Sequence, residues 1–224
     1  TGKYIAYFQS FTNTYGDVSY LREIFLEAIT HPDIVALSIG TRPDCLPNDV
    51  ISLLKELNDI KPVWVELGLQ TANENTAQYI NRGYPLDVFN HAVTALNNIN
   101  VDVIVHVIIG LPHESRNDIL HTIKYVCSKN IAGIKLQLLH VLKNTPLEKE
   151  YLSNKFSVLS LEEYTDILAE CITYIPQNII IHRLTGDGPK SLLIAPLWSA
   201  NKKAVLNYIN KRFDILDIQQ GSNV

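Results

Sequence analysis

Short apolar runs alternate with longer amphipathic segments along this chain, and the alternation predicts alternating strands and helices. The apolar runs are four to seven residues long and nearly continuous, as expected for strands that are covered on both faces of a sheet. They are Tyr4–Phe8, Val35–Ile39, Val63–Leu69, Val103–Ile109, Gly133–Leu139 and Ile179–His182. The repeated strand–helix–strand order predicts an α/β fold with parallel strands, either a doubly wound sheet or a full or partial barrel.

The segments between these runs carry apolar residues every three or four positions, which is the period of a helix. Pro85 is predicted to be the first residue of one helix, because its fixed φ suits that position. Ser160 and Glu163 have the spacing of a capping box at the start of another helix. The last helix is predicted over Lys202–Arg212, and we expect the polar tail after Asp214 to be disordered.

Composition narrows the class of protein. The chain has 224 residues, 46% of them hydrophobic, with 19 Lys and Arg against 23 Asp and Glu. These values are typical of a globular protein, and the net charge of −4 argues against a strongly basic nucleic-acid face. The longest apolar run, Val101–Pro112, contains Asp102 and His106 and is too short to cross a bilayer, so we expect no membrane partner.

Cysteine and methionine usage adds two expectations. Cys45, Cys127 and Cys171 are far apart, so they predict neither a metal-ligand cluster nor a disulfide framework. Free cysteines fit a reducing compartment, and we expect a cytoplasmic protein. The chain contains no Met and opens at Thr1 directly before a strand, so we interpret it as a piece of a longer protein.

Polar residues and glycines follow all six predicted strands. In parallel α/β folds the functional site lies at the carboxyl ends of the strands, so these positions are the candidates for ligand contact. They include Gln9, Thr12, Thr41, Arg42, Gln70, Gly110, Pro112, His140, Lys143, Arg183 and the Gly186–Gly188 turn around Asp187. The spacing alone predicts an α/β enzyme with a polar open face, since hydrolase and nucleotide-binding fingerprints are absent from the sequence.

Several of these residues also have a purely structural interpretation. Arg42 has Asp44 two residues away as an ion-pair partner. Glu66 lies among apolar neighbours in a strand and therefore must find a partner or a wet cavity. A histidine such as His106 in an apolar strand is more often a satisfied core residue than a catalytic base. A barrel aldolase or isomerase would need a lysine at a strand end, for which Lys143 is the candidate.

Three stretches of sequence resemble the radical S-adenosylmethionine (SAM) superfamily. They occur in order on successive strands and read LSIGTRPD from Leu37, VELGLQ from Val65 with NRGY from Asn81, and HVIIGLP from His106. Their pattern resembles the branch of the elongator catalytic subunit and the oxygen-independent coproporphyrinogen oxidases. The stretches Tyr7–Tyr15, His182–Pro189 and Ala195–Trp198 look still more like the YhcC-like bacterial branch.

The resemblance implies a partial (β/α)6 TIM-like barrel that lacks its first strand and cluster loop. Residues 1–150 would be the barrel, containing barrel strands two to six, and residues 151–224 a C-terminal extension packed on it. In the family, three closely spaced cysteines hold a [4Fe–4S] cluster, and this sequence has no such trio. The cluster ligands are therefore expected upstream of the chain, with no metal ligand within it, and this piece alone is expected to be inactive.

The activity implied is that of a radical SAM enzyme. Such an enzyme binds SAM beside the cluster and generates a 5′-deoxyadenosyl radical that abstracts hydrogen from a substrate. The substrate implied is a small molecule or a tRNA, and the electron donor a flavodoxin or ferredoxin. The alternative is a noncatalytic module that binds an adenosine ligand or a protein on a degenerate barrel.

The resemblance also assigns roles to residues, although it identifies no catalytic residue. Gln70 matches a glutamine that contacts the nucleoside, Arg82 an arginine that faces the SAM carboxylate, and His106 a residue near the ribose. Further SAM contacts are implied at Thr41 and Arg42, at Gly110 and Pro112 beside the adenine, and at Gln9 and Thr12 near the amino group. His140, Lys143 and Arg183 are candidates for substrate contact by position.

Overall fold

A computed structural model describes residues 2–186 and 188–224, so Thr1 and Asp187 lie outside the described residues. The fold is α/β, with a six-stranded sheet in the order β1-β2-β3-β4-β5-β7 and a two-stranded sheet of β6 and β8. The strands are β1 Tyr4–Phe8, β2 Ile34–Thr41, β3 Val63–Gln70, β4 Asp102–Ile109, β5 Gly133–Leu138, β6 Val141–Leu142, β7 Ile180–Arg183 and β8 Leu193–Ala195. The pairs β1–β2 and β2–β3 are parallel.

Helices follow most of the strands. They are α1 Val18–Thr30, α2 Asn48–Asn58, α3 Glu74–Tyr79, α4 Leu86–Asn98, α5 Arg116–Cys127, α6 Pro146–Leu152, α7 Leu161–Thr173 and α8 Lys202–Leu216. Short 3₁₀ helices span Pro43–Cys45 and Leu197–Ala200. The predicted capping box is confirmed, because Ser160 accepts from the backbone of Glu163, whose side chain accepts from the backbone of Ser160.

All six predicted strands are confirmed, with ends that differ by at most two residues. The antiparallel pair β6–β8 was not predicted, because strands of two and three residues are too short to show an alternating pattern. Pro85 is the N-cap and not the first helical residue of α4, since its ψ of 164° is extended. The final helix continues beyond Arg212 to Leu216.

The first of two compact units comprises residues 2–69, 83–106 and 129–133. Its core is formed by the apolar stripes of α1, α2 and α4 together with the strands of the unit. Phe25, Leu53, Leu57 and Phe89 are fully buried there, and Phe8 of β1 packs edge-to-face on Phe25 at a ring-centroid distance of 4.9 Å.

The second compact unit comprises residues 70–82, 107–128 and 134–224. Tyr164 of α7 is fully buried in it and donates a hydrogen bond to the Leu184 carbonyl at 2.8 Å. The tail that was expected to be disordered lies against α7 and the segment after it. Gln220 donates to two backbone carbonyls at 2.8 Å, and the amide of Gly221 donates to Ile172 at 3.2 Å. These contacts satisfy backbone carbonyls at the end of α7 and order the tail.

Candidate functional site

The register of the first three strands brings polar residues to one face of the sheet. Tyr7 on β1 lies opposite Ser38 on β2, and Gly40 on β2 lies opposite Glu66 on β3. Side chains two residues apart on a strand share a face, so Ser38 and Gly40 link the two pairs. Tyr7, Ser38 and Glu66 therefore point to the same side.

Glu66 is the centre of a hydrogen-bonded cluster, which we call the Glu66 cluster: Glu66, Tyr7, Ser38 and His106. Its Oε1 accepts from the Ser38 hydroxyl at 2.8 Å, and its Oε2 accepts from the Tyr7 hydroxyl at 2.7 Å. The same Oε2 lies 2.7 Å from Nε2 of His106 on β4. The Glu66 side chain is 3% exposed, so these contacts replace its water. A buried carboxylate requires such compensation.

A second cluster forms around Arg82, where the Asn81-Arg82-Gly83 motif ends α3. The amide of Asn81 donates to the Gln78 carbonyl and that of Arg82 to the Ala77 carbonyl, which is the pattern of a Schellman cap. Asn81 and Gly83 have φ of 54° and 84°. Asn and Gly adopt this left-handed region most readily, so two of the three motif residues are explained by the backbone alone.

The Arg82 side chain folds back onto the segment that precedes α3. Its Nη1 donates to the Thr71 carbonyl at 2.7 Å, and its Nη2 lies 2.8 Å from the Glu74 carboxylate. The guanidinium is 2% exposed, whereas Glu74 is 45% exposed. The hydroxyl of Thr71 donates in turn to Glu114 at 2.5 Å. We call Thr71, Glu74, Arg82 and Glu114 the Arg82 cluster.

Glu114 is the acid of this cluster whose ionisation is perturbed. Burial raises the pKa of the Glu114 carboxyl above its ordinary value, and the hydrogen bond from Thr71 opposes that rise. Glu114 also lines a cavity of about 320 Å³ with the predicted residues Gly110 and Pro112. Gly110 has φ of 88°, a conformation that favours glycine, and a Cβ there would press on the Leu159 side chain at 3.0 Å.

Gln70 is the predicted residue with the least favourable backbone. It ends β3 with φ of 71°, a conformation that residues other than Gly, Asn and Asp rarely adopt. Such outliers persist where the surrounding structure imposes them, and they concentrate at functional sites. The observation makes Gln70 a stronger candidate than its position at a strand end alone.

The strand-end residues of the first unit are mostly engaged with one another. The hydroxyls of Thr41 and Thr14 lie 2.5 Å apart, and Thr14 also contacts the Cys45 carbonyl. Arg42 forms two hydrogen bonds to Asp44, at 2.9 and 2.8 Å, so the predicted ion pair is present. Gln9 is exposed and Thr12 is half-buried on the loop that follows β1.

The three candidates for substrate contact all lie in the second unit. The His140 ring packs on two glycines, since a Cβ built on Gly186 or Gly188 would lie 3.1 Å from it. The absence of a side chain at Gly186 and Gly188 leaves room for the imidazole, whereas Asp187 of the predicted turn lies outside the described residues. Lys143 is exposed, and Arg183 is half-buried at the end of β7.

Four of the predicted residues therefore fall into two groups. His106 belongs to the Glu66 cluster. Arg82 belongs to the Arg82 cluster, whose Glu114 lines the same cavity as Gly110 and Pro112. Tyr7 and Ser38 were not predicted as site residues, and Glu66 was expected only to be a buried charge in need of a partner. The available signal was a polar residue in each of four apolar strands.

The cysteines do not fit an iron–sulfur cluster. Burial raises the pKa of the Cys127 and Cys171 thiols to about 12, so both stay protonated at neutral pH and are poor metal ligands. Among residues 2–186 and 188–224, no three His, Cys, Asp or Glu side chains are grouped so as to hold a metal ion. Within the same ranges, every helix is too short or too polar to span a membrane.

Comparison with known families decides the classification. Residues 2–126 match the model of the radical SAM superfamily, and residues 131–214 match the radical SAM C-terminal domain. The chain belongs to the radical SAM superfamily. Enzymatic activity is the general property of this superfamily. The predicted placement in the superfamily is confirmed. The predicted division at residue 150 stays a prediction.

Related proteins and a solved structure agree with this placement. The uncharacterised protein YtqA of Bacillus subtilis is 46% identical, with 98% of this chain and 68% of YtqA covered. Protein YhcC of Escherichia coli is 37% identical over 89% of the chain and 65% of YhcC. This chain thus spans about two thirds of each relative.

The solved structure is the archaeal Methanocaldococcus infernus Elp3, which matches with a TM-score of 0.84 and 18% identity. The match covers 98% of this chain and 56% of that one. It confirms the predicted fold class, a partial TIM-like barrel of the radical SAM type.

Proposed function

We propose that the whole protein binds SAM next to a [4Fe–4S] cluster and abstracts hydrogen from its substrate, with this chain supplying SAM contacts. The match of residues 2–126 to the radical SAM superfamily carries the proposal. When bound, SAM and the cluster supply the 5′-deoxyadenosyl radical that performs the abstraction. The residues of this chain bind, orient and shield the cofactor.

Two side chains, Arg82 and His106, have the chemistry that SAM requires. Arg82 donates to the Thr71 carbonyl and to the Glu74 carboxylate, and a guanidinium also suits a carboxylate ligand. His106 is held by a buried carboxylate and presents an imidazole for a ribose hydroxyl. Gln70 is proposed to contact the nucleoside, and its imposed backbone supports that role.

The remaining residues that were predicted to contact SAM differ in the contacts that they already make within the protein. Gly110 and Pro112 line a cavity and are proposed beside the adenine. Thr41 and Arg42 are bonded to Thr14 and Asp44, so we propose that they shape the loop near SAM. The exposed loop residues Gln9 and Thr12 are proposed near the SAM amino group.

The cluster does not fit the residues described, because both strongly buried thiols stay protonated. We therefore propose that the ligands of the iron–sulfur cluster come from outside this chain, as the family resemblance implies. The electron needed is proposed to come from a flavodoxin or ferredoxin in the cytoplasm. The three free cysteines of the described residues are consistent with such a reducing compartment.

For the substrate we favour a small molecule over a tRNA. A net charge of −4 and a pI of about 5.9 do not supply the cationic surface that phosphate backbones attract. We propose that the substrate is contacted by His140, Lys143 and Arg183. Retention of tRNA by the protein at physiological salt would reverse this choice.

The proposal is tested by anaerobic calorimetry of SAM binding to the full-length, reconstituted protein. We expect binding by the wild type, about tenfold weaker binding by Arg82→Lys and a larger loss with Arg82→Ala, because the charge-assisted contact to the carboxylate is removed. Arg212→Ala is the matched control, since Arg212 pairs with Asp166 on α7 and is predicted to leave affinity unchanged.

Release of 5′-deoxyadenosine by the reduced protein is the second measurement. SAM binding without any such release, and without a cluster, would support the noncatalytic adenosine-binding module instead. Equal affinity of the wild type and Arg82→Ala would contradict the role of Arg82.

A further inference from the structure

Glu66 is connected to more side chains than the proposed function uses. Ser38, Tyr7 and His106 approach its two oxygens at 2.7–2.8 Å, and they come from three different strands. Burying a carboxylate in this way is costly even when it is paired, and an apolar residue of similar volume is often as stable. A carboxylate at this position therefore suggests a task beyond stability.

The contacts of Glu66 define where the protons lie. An ionised carboxylate only accepts hydrogen bonds, and both hydroxyls in contact with it are able to donate. The two hydroxyl donors alone favour its ionised form. The short contact between Oε2 and Nε2 then requires the proton of the imidazole to be on Nε2, so that Glu66 fixes the tautomer of His106 and the rotation of its ring.

We propose that Glu66 is a positioning residue, which holds His106 in its Nε2–H form and orients the ring for a ribose hydroxyl. The inference rests on the proposed function, because the ligand of His106 is the SAM ribose. Histidines that bind metals are commonly oriented by a carboxylate on their other nitrogen, and loss of that partner weakens metal binding; we expect the same arrangement to orient a histidine toward a hydroxyl. Tyr7 shares Oε2 with His106 and limits the movement of the carboxylate.

The first test measures the imidazole itself and needs no cofactor. Nitrogen-15 NMR of the wild-type protein should assign the proton of His106 to Nε2. Glu66→Gln keeps the size of the side chain but lets its amide donate to Nε2, so the proton should move to Nδ1. Ser38→Ala is the matched control, because Ser38 contacts Oε1 and not the oxygen that faces His106. It should leave the tautomer unchanged.

The second test separates orientation from general damage to the site. S-adenosylhomocysteine and its 2′,3′-dideoxy analogue are titrated into wild type, Glu66→Gln and Ser38→Ala. Glu66→Gln should bind S-adenosylhomocysteine about tenfold more weakly than wild type does. The same variant should bind the dideoxy analogue as well as wild type does, because the ribose contact is absent in both complexes.

The two tests distinguish the positioning role of Glu66 from the proposed binding of SAM. An unchanged tautomer in Glu66→Gln, or an equal loss of affinity for both ligands, would overturn the positioning role while leaving SAM binding intact. Failure of the wild type to bind S-adenosylhomocysteine would instead overturn the proposed function and, with it, the ligand assigned to His106. A shifted tautomer with a loss confined to the ribose-bearing ligand supports the inference.

Discussion

Both units contain a buried charged side chain, Glu66 in the first and Arg82 in the second, and these two side chains are compensated in different ways. Glu66 is bonded to residues 28, 40 and 59 positions away in sequence, which lie on three other strands. Arg82 is bonded to Thr71 and Glu74, only 11 and 8 positions away. The first cluster exists only when the sheet has formed, whereas the partners of the Arg82 guanidinium lie close to one short helix in sequence.

Because of this difference, the two clusters depend on different features of the fold. A strand that slips by one residue turns its side chains to the other face, so the Glu66 cluster depends on the register of four strands. The contacts of Arg82 with Thr71 and Glu74 depend on the Schellman cap, whose hydrogen bonds join residues three and five positions apart. We therefore expect substitutions in the Glu66 cluster to cost more stability than substitutions in the Arg82 cluster.

The largest effect is expected for Glu66→Ala. The change removes the acceptor of three donors and leaves the Ser38 hydroxyl, which is 3% exposed, without its carboxylate. Each buried donor that is left without its acceptor costs about 1–3 kcal/mol of unfolding free energy. Urea denaturation of wild type and variant measures the loss, with Glu66→Gln as the milder control. A loss below about 1 kcal/mol would show that the cluster is dispensable for folding.

A smaller loss of stability is expected for Arg82→Ala. The Thr71 carbonyl would lose its donor within a buried segment, at a cost of about 1–3 kcal/mol, while Glu74 is exposed enough for water to replace the guanidinium. Arg212→Ala, which breaks a partly exposed pair, should cost about 0–1 kcal/mol. If Arg82→Ala destabilised as much as Glu66→Ala, the contrast between local and distant compensation would fail.

The smallest effect is expected for Glu114→Gln, and it depends on pH. Because burial raises the pKa of Glu114 in the folded state, the folded protein binds this proton more tightly than the unfolded chain does. Its contribution is fully present below the ordinary pKa of 4.5 and is lost as the pH rises through the folded value.

Glutamine keeps the acceptor for Thr71 but does not titrate. The variant should therefore gain stability relative to wild type as the pH rises above about 4.5, and the gain should level off once Glu114 is ionised. Unfolding measured over a pH series reports this difference. A difference that is flat with pH, or that favours wild type as the pH rises, would contradict the burial of this carboxyl.

Much of the molecule was predictable because its signals are local. Hydrophobic periodicity gave the six main strands, and Ser160 with Glu163 marked the start of α7, because each depends on neighbours within one element. The short β6–β8 pair and the ordered tail were not predictable. Their stability comes from contacts between distant segments, such as Gln220 with the Pro176 carbonyl.

The sequence by itself determined the α/β order, the capping box of Ser160 and Glu163 and the family motifs, since each depends on residues close together in the chain. Only the tertiary structure decided that Tyr7, Ser38 and His106 meet on Glu66. Each of these side chains alone is a polar residue in an apolar strand, and hydrogen-bonding partners across strands follow from register and not from composition.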